Sequence, residues 1–197
     1  MRYSLRFIIS ASVFLLTFPV EAVVKDGLSV ASEEVKIAQG EGIKQRNKKA
    51  FELYRLGVLH FNKSEFRKAL KTFEQALVIV KENGELQGKG VILNYIGNTY
   101  LSLGEYPKAL DYYQQALSIH KQASNKPMEG TTLNNIGEVY RSLGEYTKAL
   151  DYYQQSFAIH KQVGNKLMEG TTLNNIGLVY DYLGEYLKAL DYYQQSL

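Results

Sequence analysis

From about residue 50 the apolar positions fall into stripes of helical period, and the stripes come in pairs. Leu93, Ile96, Gly97, Tyr100 and Leu103 stand at i, i+3, i+4, i+7 and i+10, along one face of a helix. Tyr106, Ala109, Leu110, Tyr113, Ala116, Leu117 and His120 repeat that spacing and predict a second helix of about four turns. Between the stripes, Leu103-Gly104-Glu105-Tyr106 supplies a glycine that can end a helix in the left-handed conformation, and Pro107 stands where a first-turn proline is tolerated. The turn is therefore tight and the two helices antiparallel, which makes the fold class all-α.

The hairpin recurs. Gly57, Gly97, Gly137 and Gly177 mark copies 40 residues apart, at about 50–89, 90–129, 130–169 and 170–197, the last stopping within its second helix. Each hairpin alone leaves an apolar side in water, so neighbouring copies are expected to stack. Glycine inside a helix costs about 1 kcal/mol relative to alanine, so these glycines imply a close helix approach, with Ala109, Ala149 and Ala189 as the expected small partners. The segment Ala123 to Gly130 is expected to be a loop between copies.

Upstream the pattern changes. Arg2 and Arg6 precede the twelve mostly apolar residues Phe7 to Phe18, then Pro19 and Val20-Glu21-Ala22. The apolar run is shorter than the roughly 20 residues of a transmembrane helix, and the small residues suit a signal peptidase. Residues 1–22 are accordingly expected to be a signal peptide cleaved after Ala22, sending the chain to the periplasm or outside the cell. An uncleaved N-terminal anchor is the alternative. Residues 23–49, poor in large apolar side chains, are expected to form a linker with a short helix around Ser32 to Gln39.

Without Arg2, Arg6 and Glu21, the 23 basic and 20 acidic residues become 21 and 19, close to balance. No polybasic footprint points to nucleic acid or to a membrane surface, and no membrane insertion is expected once the leader is removed. The chain has no cysteine, hence no disulfide framework and no thiolate nucleophile. It carries no phosphate loop, no His-Glu-x-x-His and no Gly-x-Ser-x-Gly, so neither enzyme activity, a metal nor a cofactor is expected. His120 and His160 lie on a buried stripe and are expected to be half-buried packing residues with a bonded ring nitrogen, while His60 is expected to be solvated. In the pairs Tyr112-Tyr113, Tyr152-Tyr153 and Tyr192-Tyr193, the second ring should fill the core and the first turn about 100 degrees away.

The order Leu/Ile-Gly, Tyr three residues later, Leu-Gly-x-Tyr, Ala-Leu, Tyr and Ala/Ser resembles the tetratricopeptide repeat in a 40-residue form. That form is similar to the repeats of kinesin light chain and of the Leu-Gly-Asn adaptor proteins, and to repeats of bacterial, especially cyanobacterial, proteins. The resemblance implies a right-handed superhelical solenoid of antiparallel helix hairpins. It also implies a non-enzymatic scaffold that binds a peptide or protein segment along the concave face of the first helices. The positions implied there are Val91, Asn94, Asn98 and Leu101, then Thr131, Asn134, Glu138 and Arg141, then Thr171, Asn174, Leu178 and Asp181, with Asn135 and Asn175 beside them.

Between residues 131–157 and 171–197 five positions differ, and three of them, Glu138/Leu178, Arg141/Asp181 and Ser142/Tyr182, lie on or beside this face. Tuning to a ligand and drift at exposed sites both account for that. The asparagine ladder likewise has two readings: amides that hold an extended backbone, or amides that bond neighbouring repeats, the second fitting Asn135 and Asn175 better. The carboxylate clamp of chaperone-binding members is not expected, because Asn94, Thr171 and Asn175 stand where it needs cations. The incomplete last helix suggests either self-association through an uncapped end or a recognition arm whose effector, such as a caspase-like protease domain, lies beyond residue 197.

Overall fold

The computed structural model describes the backbone from Val20 to Leu197 and the side chains from Gln39 onward. The expected leader falls, up to Pro19, outside the described residues. The chain divides into two compact units at Gly42 and Ile43.

In the first unit the described backbone is helical, as the N-terminal part of α1 (Val20–Asn62). The short helix expected around Ser32 to Gln39 lies within this longer one. Ala31 to Gln39 is rich in good helix formers, and a Cβ at Gly40 or Gly42 would meet nothing within 4 Å, so these glycines mark no close approach. No described helix is long and apolar enough to cross a membrane.

The second unit holds the end of α1 followed by α2 (Phe66–Glu82), α3 (Leu86–Ser102), α4 (Tyr106–Gln122), α5 (Lys126–Ser142), α6 (Tyr146–Gln162), α7 (Lys166–Tyr182) and α8 (Tyr186–Gln195). Helices α2 to α7 are each 17 residues long. Every connection is three residues whose middle member has positive φ: Gly84, Gly104, Gly144, Gly164 and Gly184, with Ser64 and Ser124 in the other two turns. The 40-residue repeat is thus two 20-residue steps of helix plus turn.

This corrects the expected loop at 123–130. Helix α5 already begins at Lys126, because Asn125 caps it by accepting from the Met128 amide at 3.3 Å, and Pro127 occupies a first-turn position that needs no N–H donor. The residues that lengthen this repeat extend its helices. Sequential helices pack against one another; α3 also touches α5, and α5 touches α7. Among the described residues the even-numbered helices make no matching contacts with one another, so this unit curves with α3, α5 and α7 on its inner side.

The interior is a chain of small cores, one per junction. Phe73, Ile92, Leu93 and Ile96 belong to the first, Tyr113, Ile136 and Val139 to the second, and Tyr153, Ile176 and Val179 to the third. The repeat glycines are crowded, but by rings. A Cβ on Gly57 would lie 2.5 Å from Phe73, on Gly97 2.6 Å from Tyr113, on Gly137 2.7 Å from Tyr153, and on Gly177 2.8 Å from Tyr193. The expected partner alanines, Ala109, Ala149 and Ala189, are buried nearby, but the space beside each glycine is taken by the aromatic ring. The first tyrosine of each pair behaves as expected: Tyr112, Tyr152 and Tyr192 are half-buried and stack on Tyr100, Tyr140 and Tyr180.

Candidate functional site

Helices α3, α5 and α7 carry the groove positions on their inner faces, and hydrogen bonding sorts the asparagines into two kinds. Asn94 Oδ1 accepts from Asn135 Nδ2 at 3.4 Å and Asn134 Oδ1 from Asn175 Nδ2 at 3.0 Å; the hydroxyls of Thr132 and Thr172 lie 3.2 and 3.4 Å from the same oxygens but give their protons to the Met128 and Met168 carbonyls at 2.8 Å. Asn94 and Asn134 are 3% and 8% exposed. Both ladder amides and their neighbours Asn135 and Asn175 therefore join successive repeats, and the picture of Asn94 and Asn134 as freely presented groove residues is corrected. What they keep is one donor. Nδ2 of each makes no hydrogen bond to a described residue and is not sealed from solvent. Asn174, at the same place in the last copy, is exposed.

The next positions toward the helix ends are linked through the core. Tyr113, wholly buried beneath Gly97, donates its hydroxyl to Asn98 Oδ1 at 2.7 Å, and Asn98 also accepts from Asn135 at 3.1 Å. Tyr153 reaches Glu138 at 3.0 Å in the same way. Burial pushes both phenols well above the usual tyrosine range, with a nearby carboxylate adding to the effect. In the first copy the ring is Phe73 and the facing residue Val58, so hydroxyl and acceptor are absent together. Glu138 forms an ion pair with Arg141 that holds the guanidinium above its ordinary range. Arg141 in turn lies 5.6 Å over the Tyr182 ring and donates to its hydroxyl at 3.4 Å, crossing to the next repeat. Half-buried Leu101, Thr131 and Leu178 and exposed Thr171 and Asp181 complete the inner faces.

The histidines differ from expectation. His120 and His160 are fully buried, and among the described residues no group meets either ring nitrogen in good hydrogen-bond geometry, the backbone of Gly90 and Gly130 being the polar neighbour of each ring. Burial holds both below the ordinary imidazole range, opposed by the nearby carboxylates of Glu129 and Glu169. They stack on the backbone of Gly90 and Gly130, where a Cβ would lie 2.6 and 2.7 Å from the ring. His60 is half-buried, its Nδ1 2.5 Å from Glu65, so it is paired and not freely solvated. Ser156 replaces alanine without an orphaned hydroxyl, since it donates to the Gly130 carbonyl at 2.8 Å.

The tight left-handed turns, the glycine-beside-aromatic hairpin and the 40-residue register agree with what the family profiles find. One tetratricopeptide repeat profile matches residues 49–122 and 129–197, and a second matches 96–159. The chain belongs to the tetratricopeptide repeat family. No curated protein sequence matches it. Several solved structures share the tetratricopeptide fold. BtubC (BKLC) from P. vanneervenii is 22% identical with a TM-score of 0.67, over 75% of this chain and 61% of that one. The Rap conjugation gene regulator of the plasmid pLS20, solved in complex with the Phr* peptide, is 18% identical with a TM-score of 0.70, over 76% and 41%. A putative kinesin light chain of Podospora anserina with nearly identical TPR-like repeats is 14% identical with a TM-score of 0.60, over 75% and 72%. The chain thus spans less than two thirds of the first two of these tetratricopeptide proteins.

Proposed function

We propose that the tetratricopeptide array is an exported, non-enzymatic scaffold that holds an extended peptide or protein segment against the inner faces of α3, α5 and α7. The observation that carries this reading is the fixed orientation of the asparagine ladder. Because Asn135 and Asn175 donate to the amide oxygens of Asn94 and Asn134, each ladder residue keeps its N–H2 to offer. A column of donors one repeat apart suits the carbonyl oxygens of an extended backbone. The fold-level likeness to a Rap regulator in complex with the Phr* peptide supports the same direction. Export rests on Arg2, Arg6 and the apolar run Phe7 to Phe18.

The test is a selection of random displayed peptides on the full chain, with affinities read by fluorescence anisotropy. Saturable binding should weaken by about fivefold or more, on the order of one lost hydrogen bond, in Asn174→Ala, with no fall in melting temperature. Selected peptides that bind Asn174→Ala and Asp181→Ala as tightly as the parent would remove the groove assignment. For export, the intact mass of the protein from its own cells should match a chain beginning at Val23; a retained leader contradicts cleavage.

A further inference from the structure

The first copy differs from the others along one face of α1. On α5 the stripe Thr132, Ile136 and Val139, and on α7 the stripe Thr172, Ile176 and Val179, are buried where the preceding helix packs. The matching stripe on α1 is Glu52, Leu56 and Leu59, and its two leucines are 43% and 48% exposed. Upstream the described backbone is α1 itself, so among the described residues no preceding helix closes this face. With Arg55, Val58 and Asn62 the stripe borders a shallow open depression. Its two ends are where the first copy departs from the rest. Glu52 stands where the others have Ile92, Thr132 and Thr172, and Lys63, one turn past Leu59, stands where they have Leu103, Leu143 and Leu183. Lys63 keeps the helical line, since its amide donates to the Leu59 carbonyl at 3.2 Å. Neither charge has an ion-pair partner among the described residues, whereas Glu65 and Glu82 of the same copy do.

We infer that this face joins two copies of the chain as an antiparallel helix pair about a two-fold axis. Positions 52, 56, 59 and 63 are spaced four, three and four residues, which is the spacing of a seam between two helices. Along α1 the seam reads acid, leucine, leucine, base, and a two-fold interface must be its own complement. Reversal meets that condition: Leu56 falls against the second copy's Leu59 and Glu52 against its Lys63, each contact being made twice. On one flank it brings Arg55 beside the second copy's Asn62, not beside another cation. A parallel pair would oppose Glu52 to Glu52 and Lys63 to Lys63. A hairpin docked as the internal ones are would bury the Glu52 carboxylate in the place of Thr132, which is wholly buried, at a large desolvation cost. The seam covers about three helical turns, small for a specific interface, so a dissociation constant on the order of 10–100 μM is expected. The inference stands apart from the peptide-groove reading, which uses α3, α5 and α7.

The experiment is sedimentation velocity on the full chain from about 5 μM to about 500 μM, where a monomer should give way to a dimer. Glu52→Lys and Lys63→Glu should each weaken association about tenfold, because each sets like charges face to face twice, and the two exchanges together should restore it. Leu56→Gln combined with Leu59→Gln should leave only monomer. Its melting temperature at the lowest concentration should match the parent's, since both side chains are exposed. Monomer at every concentration overturns the pairing and leaves the face to upstream residues of the chain or to another protein's helix. A dimer unmoved by the leucine changes lies on some other surface, and single charge exchanges without mutual rescue rule out the antiparallel register; either result overturns the proposal.

Discussion

At the scale of single residues, the crowded glycines give the sharpest expectation. Gly137→Ala places a Cβ 2.7 Å from a Tyr153 ring that is itself wholly buried and bonded to Glu138. Alanine's helix propensity favours the change by about 1 kcal/mol, but overpacking of a fixed ring costs about 1–3 kcal/mol, so urea denaturation should show a net loss. A stabilised Gly137→Ala protein contradicts the tight fit. The turns allow the opposite test. Ser124 holds φ 53 where five other turns have glycine, so Ser124→Gly should raise stability by about 1 kcal/mol in the same assay. The asparagine ladder gives a third. Asn134→Ala strips the acceptor of the buried Asn175 bond and should cost about 1–2 kcal/mol, whereas Asn174→Ala removes an exposed side chain and should be nearly neutral to folding. The positions of the glycines and asparagines were legible in the sequence; their partners were not. Small residues were matched with small ones, and the true neighbour of Gly97, the Tyr113 ring sixteen positions on, belongs to a stripe that periodicity marks only as core. An amide's two ends can serve ligand or repeat equally well until a donor such as Asn135 Nδ2 is placed beside one of them.

At the scale of helices, the hairpins could be read from two apolar stripes and a Leu-Gly turn, and all of that is present. What escaped the sequence was the second turn of each repeat. Asn125-Lys126-Pro127 has the composition of a loop, yet an asparagine cap followed by a first-turn proline is how a helix begins. The signal that could have found it is the neighbouring turn Val163-Gly164-Asn165, which repeats Leu103-Gly104-Glu105 in form at 20-residue steps. The cap also separates two kinds of start. Helices α3, α5 and α7 have a side chain accepting from their first turn, while α4, α6 and α8 begin without one, each instead pairing the glutamate before the helix with a lysine three residues on. Exposed pairs of that kind contribute little. Asn165→Ala should therefore destabilise by about 1 kcal/mol, and Glu145→Ala by much less, in paired thermal melts.

At the scale of the whole array, stability is a sum over junctions, and two of those junctions contain a buried histidine. Burial lowers the folded-state affinity of His120 and His160 for a proton, and Glu129 and Glu169, with the backbone of Gly90 and Gly130, offset this only in part. The groups facing each ring include that glutamate, which is itself paired with Lys126 or Lys166 at 2.8 and 2.9 Å. A histidine whose folded pKa is depressed binds fewer protons folded than unfolded, so its contribution is complete above the unfolded value near 6.5 and is lost as the pH falls through and below it. The array should therefore lose denaturation midpoint steadily between about pH 7 and pH 5, with both junctions contributing. The first copy supplies the control, because it makes the same junction with Val80 against Ala50 and has no proton to bind there. Gly130→Ala combined with His160→Val transplants that pairing, and it should flatten about half of the pH dependence while keeping the fold. If the slope is unchanged in a variant that melts cooperatively, the titration belongs to other groups and the buried rings are inert packing. If the slope halves, the junctions of a tetratricopeptide array have been shown to differ in their response to acid, which a solenoid held together only by apolar contacts would not do.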